Sequence, residues 1–526
     1  MKVLVSDNLG EMGLKIFQAE GIDVDVKTGL APEALKEIIR DYDGLVIRSA
    51  TKVTADLLEA AENLKVVGRA GIGLDNVDIP AATKKGVVVM NTPGGNVVTT
   101  AEHAIALMMA MSRNIPQGTS SLKAGRWDKK YLQGRELTGK TLGLIGFGKI
   151  GSVVADRARG LKMRVVIHDP VISPETVVKQ GFEPVTLEEL YNQSDFITIH
   201  VPKGPNTTNM INQKAFEQMK DGVMLINCAR GGIVDENALY DALKAGKVAK
   251  AALDVFEVEP PSADHPLLTL DNVIATPHLG ASTLEAQTNV AVAVANQISA
   301  FLKHNNIVNA VNVPSVSGKI LEKLSPFIRV ADRMGCMQAQ FLSGQIKEIH
   351  IDYRGDFQDM DLTPVSTAFV KGLLDYLAPG DVNSVNAMAI AKEMGIKLTD
   401  SASLESDEFV NLVRAKVVTT GGESTVAGTI FGKTDARIVR IDDFRIEIIP
   451  EGHLALIYNV DKPGAIGAIG SKLGQKKINI SRMQVGREVG GDNNIILIRT
   501  DSPITPDVAD EILGLEQVKS IKVFEL

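Results

Sequence analysis

A short β-rich run, Thr141-Leu142-Gly143-Leu144-Ile145, is followed at once by glycines at Gly146, Gly148 and Gly151, and then by an amphipathic pattern reaching about Leu161. The run fits a buried parallel strand and the pattern fits a helix. Three glycines at this spacing are weak evidence by themselves in a chain with 47 glycines. Between a strand and a helix each acquires a task. Gly146 permits the tight turn, Gly148 lets backbone amides approach a pyrophosphate, and Gly151 lets the helix lie close to the strand. The helix N-terminus adds free N–H groups and a partial positive charge. Asp169, eighteen residues beyond Gly151, follows the next strand. There a carboxylate holds the adenosine ribose hydroxyls and repels a 2′-phosphate, which favours NAD over NADP.

This turn sits in a longer alternation. Lys2 to Ser6, Gly44 to Arg48, Lys65 to Gly68 and Val87 to Asn91 read as strands, with helices at Pro32 to Asp41 and Thr54 to Ala61. A long apolar helix follows at Ala101 to Ser112. A second series has six strands: Thr141 to Ile145, Arg164 to His168, Phe196 to His200, Val223 to Asn227, Ala251 to Asp254 and Val273 to Thr276. The βαβ rhythm predicts parallel, doubly wound sheets, the second a complete dinucleotide-binding unit. A helix over Ser282 to His304 is long enough to return the chain to the first unit. The cofactor unit (99–286) is therefore expected as an insertion in a substrate-binding unit made of 1–98 and 287–312. About 210 residues remain. Helical patterns cover Ser325 to Phe341, Pro364 to Leu377 and Val385 to Met394, and a turn-rich β stretch covers Ala415 to Pro450, all within a unit spanning 315–452. The last segment, 454–526, reads β-α-β-β-α-β, the ferredoxin-like order.

Composition narrows the class. Lys and Arg number 56 against 64 Asp and Glu, a net charge of −8, which speaks against a nucleic-acid protein. Cys228 and Cys336 are too few for a disulfide framework or a four-thiolate site, so a reducing compartment and no metal are expected. The N-terminus lacks a signal-peptide pattern and no run is long enough for a membrane span, so the expected location is the cytoplasm.

Three segments would sit at carboxyl ends of successive strands, the edge where such sheets bind ligands. They are Asn227-Cys228-Ala229-Arg230-Gly231-Gly232, Asp254-Val255-Phe256-Glu257-Val258-Glu259-Pro260 and Thr276-Pro277-His278-Leu279-Gly280-Ala281. Oxidising a 2-hydroxy acid requires a base for the hydroxyl proton, a group that raises the base's proton affinity, and a cation for the carboxylate. His278 fits the first role, Glu259 the second and Arg230 the third. Cys228 has no second base beside it and reads as a small residue near the cofactor.

With these motifs, Arg48-Ser49-Ala50-Thr51-Lys52-Val53-Thr54 and Gly68-Arg69-Ala70-Gly71-Ile72-Gly73-Leu74-Asp75-Asn76-Val77-Asp78, the chain resembles the D-isomer-specific 2-hydroxyacid dehydrogenases. The resemblance spans most of residues 1–312 and continues beyond. It implies an α/β fold: a Rossmann-type doubly wound parallel sheet inserted in a flavodoxin-like substrate domain. To these it adds an α+β intervening domain and a C-terminal ferredoxin-like ACT regulatory domain. It implies Arg230, Glu259 and His278 as catalytic residues. Around NAD it places Gly146, Gly148, Lys149, Ile150, Gly151, Asp169, Val201, Pro202, Thr207, Cys228, Ala229, Arg230, Asp254, His278, Leu279, Gly280 and Ala281. For the longest members it implies 3-phosphoglycerate as the small anionic substrate. Its carboxylate and phosphate call for cations: Arg230 is expected at the first, Arg48, Arg69 and Lys129 or Lys130 at the second, with backbone or amide donors around Gly71, Gly73 and Asn96 for the carboxylate. In the tail, Asn459, Asp461 and Asn479 match positions where relatives hold L-serine. It further implies a homodimer or homotetramer. Two other functions remain open on sequence: a shorter-core relative acting on glyoxylate, hydroxypyruvate or lactate, and a non-enzymatic NAD-sensing protein like the C-terminal-binding corepressors.

Overall fold

The computed structural model describes residues 1–313, 319–357, 360–377, 382–405, 409–487 and 493–526. The first sheet contains β1 (Lys2–Val5), β2 (Asp23–Val26), β3 (Gly44–Ile47), β4 (Val66–Arg69) and β5 (Val88–Met90). All pair in parallel, in the order β2-β1-β3-β4-β5, which is the flavodoxin-like arrangement. Strand β2 was not anticipated. Its Asp-Val-Asp-Val sequence lies at a half-exposed sheet edge, where no continuous apolar run is needed.

The second sheet holds β6 (Thr141–Ile145), β7 (Arg164–His168), β8 (Glu183–Pro184), β9 (Phe196–Ile199), β10 (Val223–Asn227), β11 (Val248–Leu253) and β12 (Val273–Ala275). Its order is β12-β11-β10-β9-β6-β7-β8, parallel throughout. The sequence reading of six strands is corrected to seven. The added strand, β8, is two residues long at the far edge and leaves no periodicity to detect. The order reverses at β6, which puts the Gly146–Gly151 turn at the topological switch point.

Two long helices join these sheets. Val97–Ser112 packs Ala101, Ala104 and Met108 with Val154, Ala155 and Ala158 of helix Lys149–Gly160. Leu284–His304 starts at Thr283, whose hydroxyl accepts from Ala286 N at 3.2 Å, and buries Val290, Val294 and Ile298 with Val3, Val5, Val46 and Val66 of the first sheet. The chain then runs beside β5, where the Asn312 side chain bonds Val89 N and Val87 O.

The third sheet comprises β13 (Ile346–Gly355), β14 (Lys397–Ser403), β15 (Asn411–Thr419), β16 (Gly422–Phe431), β17 (Asp435–Ile441) and β18 (Phe444–Ile448), in the order β14-β13-β15-β16-β17-β18. Strands β13 and β14 were not anticipated, although Ile349, Ile351 and Tyr353 alternate inward along β13. The fourth holds β19 (His453–Val460), β20 (Ile480–Arg487), β21 (Asn493–Thr500) and β22 (Val518–Glu525), antiparallel in the order β20-β21-β19-β22, with helices Ala465–Gln475 and Pro506–Leu513. This is the expected ferredoxin-like arrangement. Its helices cover Ala455, Ile457, Ile496 and Ile498. On the other face Leu454, Leu456, Ile495 and Leu497 join the same core as the third sheet. Among the described residues no helix is long and apolar enough to cross a membrane.

Candidate active site

A cavity of about 1040 Å³ opens where the carboxyl ends of the first two sheets face each other. Arg48, Arg69, Gly71, Gly73 and Asn96 reach it from the first sheet, and Gly148, Lys149, Ile150, Val201, Pro202, Cys228, Ala229, Arg230, Asp254, Glu259, His278, Gly280 and Ala281 from the second. The structure thus brings most of the expected site residues together.

At the end of β10 the Asn227 side chain brackets the turn. Its Oδ1 accepts from Ala229 N and its Nδ2 donates to Arg230 O, both at 3.0 Å. Arg230 then donates from Nε to Asp75 Oδ2 at 3.0 Å and from Nη1 to Ala229 O at 2.7 Å. Its guanidinium occupies space that only a glycine leaves open, because a methyl on Gly73 would fall 1.8 Å from Nη2. Beyond β11, Glu259 accepts from Phe256 N at 3.0 Å through Oε1 and pairs through Oε2 with His278 Nδ1 at 2.7 Å. A carboxylate at Nδ1 assigns the proton to that nitrogen and leaves Nε2 with its lone pair.

His278 sits at φ +54°. Its N–H donates to Asp254 O and Thr276 O at 3.0 and 2.9 Å. The buried Asp254 carboxylate accepts from Leu279 N, Gly280 N and the Thr276 hydroxyl at 2.7, 2.8 and 2.6 Å, and meets His103 Nε2 at 3.2 Å. Asp254, expected beside the cofactor, therefore also fixes the His278 turn. The bond from Glu259 holds the His278 imidazole above its ordinary pKa, against the opposing effect of burial. Burial pushes the Glu259 carboxyl up, but its bonds to His278 and Phe256 N outweigh that and leave it lowered.

The cavity also carries a cluster of cations, Arg48, Arg69 and Arg230. Burial, reinforced by the nearby Arg230 and Arg48 charges, brings the Arg69 guanidinium down to about 10. Its Nε and the Asn96 Oδ1 are buried without partners among the described residues. Such atoms suit a ligand carrying both anionic and hydroxyl groups. Lys129 and Lys130 do not join them. They lie on the exposed turn Lys129–Tyr131, away from the cavity lining.

The cofactor end fits a dinucleotide. Helix Lys149–Gly160 begins at Gly148 with no side-chain cap, so its first N–H groups are left for an anion. A methyl on Gly151 would fall 2.0 Å from Gly146 O, the close approach that makes the turn. Gly146 and Gly151 lie under the cavity rather than lining it. Asp169 also lies outside the lining. Its carboxylate accepts from Phe147 N at 2.7 Å, Val171 N at 2.7 Å and Ile172 N at 2.9 Å, which ties the glycine turn to the end of β7. Thr207 closes its own loop through Pro202 O and Gly204 N, and Leu279 is partly exposed. Burial first, with Asp254 adding to it, pushes the Cys228 thiol upward, which opposes formation of a thiolate.

Asp75 stands in a sequence motif that assigns it no task, and His103, Glu236 and His265 carry no motif at all.

Residues 105–280 match the family model of the D-isomer specific 2-hydroxyacid dehydrogenase NAD binding domain, and 323–442 match that of the D-3-phosphoglycerate dehydrogenase intervening domain. Over 528 residues the chain is 43% identical to D-3-phosphoglycerate dehydrogenase of Archaeoglobus fulgidus, with 100% of each chain covered. The chain belongs to the D-3-phosphoglycerate dehydrogenase family. The Bacillus subtilis D-3-phosphoglycerate dehydrogenase is 39% identical, covering 100% of this chain and 99% of that one. Among solved structures, NAD-dependent formate dehydrogenase from Staphylococcus aureus in complex with NAD is 30% identical with a TM-score of 0.54, covering 60% of this chain and 100% of its own. Membership makes the chain an NAD-dependent oxidoreductase, and the uncapped helix at Gly148 is the physical counterpart of that cofactor use.

Proposed function

We propose that the protein oxidises 3-phospho-D-glycerate to 3-phosphohydroxypyruvate, the first step of the phosphorylated route to L-serine. The observation that carries this is the pairing of His278 with Glu259 at 2.7 Å in a cavity that three guanidinium groups, Arg48, Arg69 and Arg230, also line. Arg230 holds the substrate carboxylate and polarises the developing carbonyl. Arg48 and Arg69 hold the phosphate. His278 Nε2 takes the hydroxyl proton, and Glu259 stabilises the imidazolium that results. Bound NAD supplies the hydride acceptor. Lys149, Ile150 and Asp169 hold its phosphate and ribose portions, with Val201, Pro202, Thr207 and Ala229 nearby.

The shorter-core and sensor readings are less well supported, because the full-length relatives share the chain from end to end while the solved formate dehydrogenase covers only 60% of it. The test is NADH formation with 3-phosphoglycerate, with lactate as the control hydroxy acid, and NADH consumption with 3-phosphohydroxypyruvate, with glyoxylate as the control oxo acid. Turnover of 3-phosphoglycerate no better than that of lactate would overturn the assignment.

The tail supports an amino-acid effector site shared between two copies. Asn459 is buried with its Oδ1 unpartnered among the described residues, and Asp461 accepts from Asn494 at 3.1 Å at the same end of the fourth sheet. Asn479 instead precedes β20, beside Asp501 at the opposite end. At ~3.3 Å per residue the ends are roughly 20 Å apart, so these three residues do not meet within one chain. Antiparallel pairing of the β20 edges of two copies would bring unlike ends together. L-serine is the proposed ligand, a homodimer or homotetramer the proposed assembly and the cytoplasm the proposed location, which suits two unpaired cysteines. Calorimetric titration of L-serine into the intact protein and into Asn479→Ala checks this; no heat from the intact protein would leave the tail without that role.

A further inference from the structure

A second carboxylate–imidazole pair lies behind the first. Glu236 opens helix Glu236–Lys244, directly downstream of the loop that carries Arg230. Its two carboxylate oxygens do different things. Oε1 accepts from Glu257 N at 2.6 Å, and Oε2 meets His265 Nε2 at 3.0 Å. Both partners belong to the loop between β11 and β12, the loop that delivers Glu259.

The two grips bracket Glu259 on its sequence. Glu257 lies two residues before it and His265 six residues after. Between them the loop is held by its own contacts: Phe256 N donates to Glu259 Oε1, and the Phe256 ring meets the His265 ring edge-on at 5.5 Å between centroids. His265 also starts the turn Pro266–Thr269, since Leu268 N donates to its carbonyl at 2.9 Å. The side chains of His265 and Glu236 are only 19% and 15% exposed, so solvent screens this pair far less than a surface one. The Arg230 loop abuts the same point, because a methyl on Gly231 would fall 1.7 Å from Phe256 O.

We infer that Glu236 and His265 are positioning residues for the reaction: together they lock the Glu259 loop so that Glu259 keeps its bond to His278. The inference rests on the assignment of His278 as base and Glu259 as its partner. Neither residue lines the cavity. Their effect is transmitted through backbone, from Glu257 N and the His265 ring to the two ends of a short loop. A carboxylate placed at 2.7 Å raises a histidine's proton affinity strongly and loses that effect steeply as it swings away. Loosening the loop therefore lowers the His278 pKa and turnover together, while Arg48 and Arg69, which reach the cavity from the first sheet, stay where they are.

The experiment uses the full-length protein with four variants, His265→Ala, His265→Gln, Glu236→Gln and Glu259→Gln. The readouts are kcat, KM for 3-phosphoglycerate, the pH dependence of kcat/KM, and the His278 ring titration by NMR. His265→Ala is expected to lower kcat about 10–100-fold, the range for misplacing a catalytic group by around 1 Å. KM should change less than about threefold, and the His278 titration should move down towards that of Glu259→Gln. His265→Gln keeps an N–H for Glu236 and should recover most of both losses. Glu236→Gln, which keeps an acceptor for Glu257 N, should fall between. If Glu259→Gln moves the His278 titration but His265→Ala does not, the brace is wrong and the pair stands. If Glu259→Gln itself leaves that titration in place, the pair is wrong and the brace falls with it. A His265→Ala protein that loses kcat and melting temperature equally, with no movement at His278 and no recovery by Gln, would reduce His265 to a packing residue and overturn the inference.

Discussion

Asp75 and Arg230 meet across the cleft at 3.0 Å, Oδ2 to Nε, one from the loop after β4 and the other from the loop after β10. The Asp75 side chain is 66% exposed, so the pair contributes little to stability. Its importance is local. It places a negative charge beside the cation assigned to the substrate carboxylate, and it restricts where that cation points.

Asp75→Asn should therefore tighten substrate binding. An exposed pair of this kind is worth about 0.2–1 kcal/mol, so KM for 3-phosphoglycerate should fall by up to about fivefold, with the melting temperature almost unchanged. Steady-state kinetics decide it, and a rise in KM would mean that Asp75 chiefly orients Arg230.

Gly73→Ala makes the opposite test of the same contact. The new methyl claims the position of Arg230 Nη2. The guanidinium must shift, and kcat/KM should drop roughly 10²-fold while the fold survives. Unchanged kinetics with a normal melting curve would remove Arg230 from the substrate site.

The pH profile follows from His278. Its pKa is raised by Glu259, so at low pH the ring is already protonated and cannot act as base. Oxidation should rise with pH through a limb above 6.5, the ordinary histidine value, and the reverse reduction should decline over the same interval. Glu259→Gln removes the principal cause of the raised value and should move the limb to lower pH. His278→Ala should cost roughly 10²–10⁴-fold in turnover. A limb that stays in place in the Gln variant would separate the titration from this pair.

Asp169 governs cofactor choice in this reading. Three backbone N–H groups hold its carboxylate ionised at the end of β7, where a 2′-phosphate would be repelled. Although burial pushes the carboxyl up, those bonds leave its pKa lowered, so the charge persists well below neutral pH. Asp169→Ala should narrow the preference for NAD over NADP, measured as the ratio of kcat/KM values. Comparable use of both cofactors by the unchanged protein would end this assignment.

What could be read from the amino acids alone depended on how local the determinants were. The glycine turn, the three strand-end motifs and the buried parallel strands of the first two sheets announce themselves within a few residues, and all were legible. Strands β2 and β8 were not, because edges need no apolar run. Strand β13 alternates clearly but lies in the stretch between two helical patterns, to which the sequence reading assigns no element. At the site, Arg230, Glu259 and His278 each follow a strand, so their convergence could be anticipated from topology. Asp75, His103, Glu236 and His265 acquire meaning only from partners far along the chain, such as His103 beside Asp254 and His265 beside Glu236. A single charged residue in a loop or helix carries no local mark of such a partner.

The core shared by the third and fourth sheets sets how this protein comes apart. Leu454, Leu456, Ile495 and Leu497 have no separate interior to retreat into; they are sealed by the same side chains that seal Val330, Met334 and Ile351. The back of the molecule should consequently lose structure in one cooperative step on heating, distinct from the front, and calorimetry should resolve no independent transition for residues 454–526. A gene shortened at Pro450 would not yield a trimmed but sound enzyme. It would leave an apolar wall facing water, prone to aggregation and proteolysis.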